Sequence, residues 1–213
     1  MRSRTTVRAG SIAAAVALTL AACANDDPAV DAPVMEEEAT DGTDDAIDDG
    51  QVAEADVQFV QGMIPHHVGA VDMAEMVLDR TDRQELIDLA DQIIADQEAE
   101  IEQMRDMLDR MGVEEMPMDD MDGMDGMDGM DHGEMGMMSD EDMDELRSLE
   151  GEEFDRRFME MMIVHHEGAI AMAEQVLAEG DDAEVAALAE DVIAAQEAEI
   201  DQMNEWLDEW GLA

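Results

Sequence analysis

Two pairs of adjacent histidines, His66-His67 and His165-His166, are the residues whose type and spacing could do chemistry, and each follows a methionine, Met63 or Met162. Imidazole is the commonest side-chain ligand for copper and zinc, and a thioether beside it adds a preference for soft Cu(I). On a helix, residues three and four apart share a face. Met63 can therefore address one ion together with His66 or His67, and Met162 together with His165 or His166. Met73 and Met172 lie further along the same stripes, while Met104 and Met203 can approach from a following helix. The competing reading is a hydrogen-bonded histidine cluster that only holds the core together. Gln97 and Gln196 fall centrally on otherwise apolar stripes, and a buried amide needs partners. A histidine ring nitrogen would serve, making each glutamine an orienting group that fixes the imidazole tautomer. Backbone freed near Pro65 is the alternative partner.

A second set of soft donors is Met118, Met121, Met124, Met127 and Met130, one in every three residues of a Met-Asp-Gly run that ends at His132. Glycine at that frequency opposes a stable helix, so the insert 113–139 is expected to be flexible. Thioethers so spaced let a loop fold around Cu(I) or Ag(I); a low-complexity linker is the plainer alternative. Calcium is disfavoured, because no EF-hand spacing or bidentate glutamate is in place. A di-iron carboxylate bundle needs a glutamate three residues before each inward histidine, and none of the four has one. With no hydrolytic zinc signature and no phosphate loop either, no catalytic residues and no enzyme activity are expected.

These residues have to be positioned by helices, and the chain repeats itself at an offset of 99 residues. Phe59-Val60-Gln61-Gly62-Met63-Ile64-Pro65-His66-His67 pairs with Phe158-Met159-Glu160-Met161-Met162-Ile163-Val164-His165-His166, and Gln97-Glu98-Ala99-Glu100-Ile101 with Gln196-Glu197-Ala198-Glu199-Ile200. The units are 57–112 and 156–211. In each, apolar residues recur at helical spacing along two stretches separated by an acidic turn. Asp82 with Glu85, and Asp181 with Glu184, fit a helix N-cap and its third-position acid. Gly112 and Gly211 suit the C-terminal stops, and Ser139 suits the start of a short helix through Leu149. Pro65 falls within the first helical pattern and should kink it. Two hairpins with one apolar stripe each bury those stripes together, which gives an all-α fold: a four-helix bundle of two repeated helical hairpins with pseudo-twofold symmetry.

The remainder of the chain bears on location. Residues 1–22 have Arg2, Arg4 and Arg8 ahead of a short apolar run, the pattern of a signal peptide and too short for a membrane span. The run ends Leu20-Ala21-Ala22-Cys23, which resembles a bacterial lipobox, so Cys23 is the expected lipidation site. Residues 23–55 are acidic and low in hydrophobicity, a disordered tether ahead of the domain at 56–212. Only ten basic residues, all arginine, face 59 acidic ones, for a net charge of -49. Such a surface repels nucleic acid and anionic headgroups, leaving the lipid anchor as the sole membrane contact. A single cysteine excludes an internal disulfide and a thiolate cluster. The 23 methionines are then the abundant soft donor.

Taken together, Phe158-x3-Met162-x2-His165-His166-x-Gly168-Ala169-x2-Met172-Ala173 and the later Gln196-x2-Glu199-Ile200-x2-Met203 closely resemble the signature of the "domain of unknown function 305" family. The first unit shares it, from Met63-Ile64-Pro65-His66-His67 onward, and the resemblance covers roughly 57–210. It implies a ferritin-like helical bundle, exported or membrane-anchored, and a role in binding copper as in a periplasmic cyanobacterial branch. The implied ligands are Met63, His66, His67, Met73 and Met104 with their counterparts Met162, His165, His166, Met172 and Met203. A copper exporter or an oxidase is the kind of protein partner this role implies. The Met-Asp-Gly insert has no counterpart in the family motif.

Overall fold

The computed structural model describes residues 53–116 and 136–213. The expected signal segment, Cys23, almost all of the tether, and Met118, Met121, Met124, Met127, Met130 and His132 lie outside the described residues. Those described form five α-helices and no strand: α1 (Glu54–Val77), α2 (Gln84–Met111), α3 (Asp140–Ser148), α4 (Gly151–Glu179) and α5 (Ala183–Glu209). The sequence repeat is thus a repeat of helical hairpins, α1–α2 and α4–α5, which meet chiefly through α1 and α4. None of these helices is long and apolar enough to cross a membrane.

The buried positions of α1, among them Phe59, Val60, Met63, Ala70, Met73, Ala74 and Val77, recur 99 residues on in α4 as Phe158, Met159, Met162, Ala169, Met172, Ala173 and Val176. Spacings of three and four keep them on one face. Two apolar clusters result. One joins the N-terminal half of α1 and the C-terminal half of α2 to the C-terminal half of α4 and the N-terminal half of α5. The other joins the four complementary halves, with Leu146 of α3 added. This pairing of opposite halves means that α1 and α4 run antiparallel. Large side chains such as Phe154 and Phe158, both fully buried with rings 6.0 Å apart, anchor the second cluster. Burial of each contributes about 1.5–3 kcal/mol.

The helix ends follow local chemistry, with two adjustments to the expected caps. Asp82 does not cap α2: the N-cap is Arg83, which receives no side-chain bond, and the Arg83 amide donates to Thr81 Oγ1 instead. Asp182, rather than Asp181, caps α5 by accepting from the amides of Glu184 and Val185 at 2.8 and 3.1 Å. The Asp181 and Asp182 amides are themselves held by Asp56, a buried residue of α1, at 3.0 Å each. Asp56 thereby fastens the α4–α5 turn to the first helix. Its counterpart Asp155 is held differently, by Arg83 Nε at 2.9 Å. Ser139 caps α3 with a full capping box, and Gly112 ends α2 at φ 70°, as their types suggest. Helix α1 passes through Pro65 without ending there and begins at Glu54, just inside the stretch read as tether.

Candidate metal centre

Along every long helix, the polar residues of interest fall where one apolar cluster gives way to the other. On α1, His66 and His67 separate Ile64 from Ala70; on α4, His165 and His166 separate Met162 from Ala169. On α2, Gln97 separates Ile93 from Ile101, and on α5, Gln196 separates Val192 from Met203. A polar layer therefore crosses the bundle at mid-height, with all four histidines at most 1 % exposed.

Within the layer, His66 and His165 come together across the pseudo-twofold relation, their ring centroids 3.8 Å apart and tilted by 40°. His67 and His166 lie to either side, 6.4 and 6.3 Å from their sequence neighbours. Each of this outer pair is held by a carboxylate: His67 Nε2 is 2.6 Å from Glu100 Oε2, and His166 Nε2 is 2.6 Å from Glu199 Oε2. Since a carboxylate accepts, Nε2 carries the hydrogen, and in the neutral ring Nδ1 keeps its lone pair. Neither Nδ1 has a hydrogen-bond partner, and the His165 ring has only a weak contact with the His66 backbone. Burial, with the neighbouring histidines His66, His166 and His67, pushes the His165 pKa well below the usual value. His165 is held as neutral imidazole, the form that donates a lone pair. Gly69 lies beside it, and a Cβ there would stand 3.4 Å from His165 Nε2, an ordinary van der Waals contact.

Of Gln97 and Gln196, the imidazole contact expected is missing at Gln97. Both are buried in the layer, yet Gln97 hydrogen-bonds through neither amide atom and Gln196 Oε1 has no partner. Glu100 and Glu199, one turn further along the same helices, are what hold the imidazoles. A carboxylate is the stronger acceptor for a ring N–H. The signal was present, because both glutamates belong to the repeated Gln-Glu-Ala-Glu-Ile motif, but acidic residues on so acidic a chain read as solvated surface.

The methionines regroup as well. Met63 and Met104 share their cluster with Met172 of the second unit, and Met162 and Met203 share theirs with Met73 of the first. Each sulfur set therefore draws on both units, because antiparallel α1 and α4 exchange their C-terminal halves. Among the described residues, no three His, Cys, Asp or Glu side chains are grouped to hold an ion by themselves. Met137 and Met138, at the end of the insert, lie next to Gly136, which packs on the α4 backbone at Val164 and His165.

Comparison with known proteins matches residues 56–207 to the family described as "Domain of unknown function (DUF305)". A DUF305 protein from Streptomyces coelicolor, described as secreted, is 31% identical, with a TM-score of 0.65 over 74% of this chain and 94% of its own. A DUF305 fragment from Deinococcus radiodurans is also 31% identical, with a TM-score of 0.64 over 74% of this chain and 98% of its own. CopM in its Cu(I)-bound form is 34% identical, with a TM-score of 0.59 over 73% of this chain and 96% of its own. CopM has also been solved with Ag and with Cu(II). An uncharacterized mimivirus protein, L153, is 41% identical over 54 residues, and the chain spans only 36% of that relative's length.

Proposed function

The chain belongs to the DUF305 family, and from that premise and the histidine layer we propose that it is an extracytoplasmic protein that holds copper, Cu(I) in preference, through imidazole and thioether donors. It sequesters the ion or passes it on and performs no turnover. The lipid anchor at Cys23, and an exporter or oxidase as the receiving partner, are parts of the same proposal.

The observation that carries it is the set of buried imidazole nitrogens that make no hydrogen bond, Nδ1 of His67 and His166, with the His165 ring buried between them. A purely structural layer would leave each of these groups without a protein partner, and a buried polar group left unpaired costs about 1–3 kcal/mol. A bound cation satisfies the lone-pair nitrogen of each neutral ring, though not the N–H that His165 also carries. The Glu100–His67 and Glu199–His166 pairs have the form of carboxylate–histidine pairs behind a metal, which orient the ring and raise its basicity. The described residues hold no group of three His, Cys, Asp or Glu side chains, and in this reading methionine sulfur completes the coordination. The methionines on either side of the layer supply it and favour a soft ion. CopM, which has been solved with Cu(I) and Ag bound, supports the same choice.

The test is competition for Cu(I) between the domain and a chromogenic chelator. His66→Ala with His165→Ala, in a chain lacking the Met-Asp-Gly insert, should lose at least a hundredfold in affinity. Unchanged affinity overturns the proposal. Cu(I) oxidation or oxygen consumption above the free-metal rate would instead favour an enzyme.

A further inference from the structure

The two ends of the seam between α2 and α5 are equivalent in the repeat but not in chemistry. Each of these helices packs on its own hairpin partner, and the hairpins meet chiefly through α1 and α4. Closure of the seam therefore depends on the side chains along it. At one end, Arg110 of α2 forms an ion pair with Glu184 of α5. The equivalent residues at the other end, 99 positions away, are Glu209 and Glu85. Two carboxylates cannot form that bridge. Asp88 adds another acid where Ala187 is the counterpart, and Trp206 and Trp210 stand where the first unit has Met107 and Met111. The chain has only 2 Trp, and both are at this unbridged end.

A groove of about 480 Å³ lies here, between the N-terminal half of α2 and the C-terminal half of α5. Leu89, Ala195, Ala198 and Trp206 give it an apolar wall. Glu85 and Asp88, both exposed, give it an acidic rim, and its lining contains no Arg. Glu199 also lines it, but that carboxylate is committed to His166 at 2.6 Å. Trp206 stacks on Trp210 with ring centroids 5.3 Å apart, and Arg83 lies over Trp210 at 4.2 Å. Arg83 is itself matched by Asp155 at 2.9 Å and Glu152 at 3.3 Å, so the charge of the rim stays unmet.

An apolar wall containing Trp beneath an acidic rim fits a surface that is apolar on one face and cationic beside it. Aromatic anchors carry much of the energy of such contacts, and complementary charge selects the partner. We propose that this groove is a docking site for a cationic amphipathic helix of another protein. Its apolar side chains seat against Leu89 and Trp206, and its Lys or Arg residues meet Glu85 and Asp88. A second copy of this chain does not fit, because the chain has no Lys. Every Arg among the described residues is already bonded, Arg80 to backbone carbonyls and the others to carboxylates. Nothing here depends on copper, so a chain that takes up no Cu(I) leaves the docking site standing.

The test titrates the full chain with a synthetic Leu/Lys peptide patterned as an amphipathic helix, at physiological salt, where diffuse attraction is screened. Calorimetry should show one peptide bound per chain, with a blue shift of Trp emission as Trp206 is covered. The same residues in shuffled order, equal in charge but without an apolar face, should bind at least tenfold more weakly. Glu85→Lys with Asp88→Lys should weaken binding at least tenfold. Glu98→Lys with Glu102→Lys, which changes the net charge equally away from the groove, should weaken it less than threefold. Ala198→Phe fills the groove from an exposed helix position and should also cost at least tenfold; Ala99→Phe, its counterpart on α2, should not. Binding that shuffling does not weaken, or that groove and control variants lose alike, reflects net charge alone and overturns the docking site. Two results would overturn the choice of partner. One is a dimer in sedimentation that Glu85→Lys with Asp88→Lys dissociates. The other is peptide binding tightened at least tenfold by Arg2→Ala, Arg4→Ala and Arg8→Ala together, which would make the chain's own first residues the occupant.

Discussion

Replacing Glu199 or Glu100 by glutamine tests whether the carboxylates serve the metal or only the fold. The change keeps side-chain size and an acceptor oxygen while removing the charge behind the imidazole. In the metal-free protein, a charge-assisted bond worth about 1.5–3 kcal/mol becomes a neutral one worth about 0.5–1.5, so urea unfolding should show a loss of about 1 kcal/mol. With metal bound, losing the charge that polarises the ring costs about tenfold to hundredfold in affinity for groups in this position, or about 1.4–2.8 kcal/mol. The larger effect belongs to Glu199, which is 8 % exposed against 18 % for Glu100, because water screens the more exposed charge. The assay is chelator competition for Cu(I) beside urea unfolding of the same variants. If both variants bind Cu(I) within twofold of wild type while losing stability, the glutamates hold the histidines for packing alone, and the case for a carboxylate–histidine–metal arrangement fails.

Other consequences are equally open to measurement. Double-mutant cycles on Cu(I) affinity should show coupling between Met63→Leu and Met172→Leu, whose sulfurs share an apolar cluster, and near-additivity between Met63→Leu and Met73→Leu, which do not. Such volume-conserving changes cost under about 1.5 kcal/mol in stability, so affinity is readable. Asp56→Ala strands the amides of Asp181 and Asp182 and should lower unfolding free energy in urea by about 3 kcal/mol; a loss below 1 kcal/mol would deny the latch. Gly136→Ala would drive a Cβ into the Val164 carbonyl at φ 71°, and thermal unfolding should report a loss of about 2–4 kcal/mol from backbone strain and overpacking. Gly112→Ala has the strain without the contact and should lose only about 1–2 kcal/mol.

The repeat made the fold readable, because a 99-residue offset with conserved three-and-four spacing admits few arrangements besides two hairpins packed by their stripes. Helix ends were readable where one residue type decides, as at Ser139 and Gly112. They were misplaced where a distant partner decides: Asp181 does not cap α5, and its amide is held by Asp56, 125 residues away. Periodicity contains no trace of that contact.

The histidine layer was legible as four residues but not as a geometry. Spacing places His66 and His67 on one face of α1; it cannot say that His66 meets His165 while His67 turns to Glu100. That division follows from the antiparallel crossing of α1 and α4, which brings the two inner rings to 3.8 Å and leaves the outer pair to the flanking helices α2 and α5. The same crossing sends Met172 to the cluster of Met63 and Met73 to that of Met162, so each sulfur set is shared between the repeats. A single hairpin would hold a histidine pair without its facing pair, and two of its methionines without the third. The donor set that the repeat carries twice is therefore assembled only where the two copies meet.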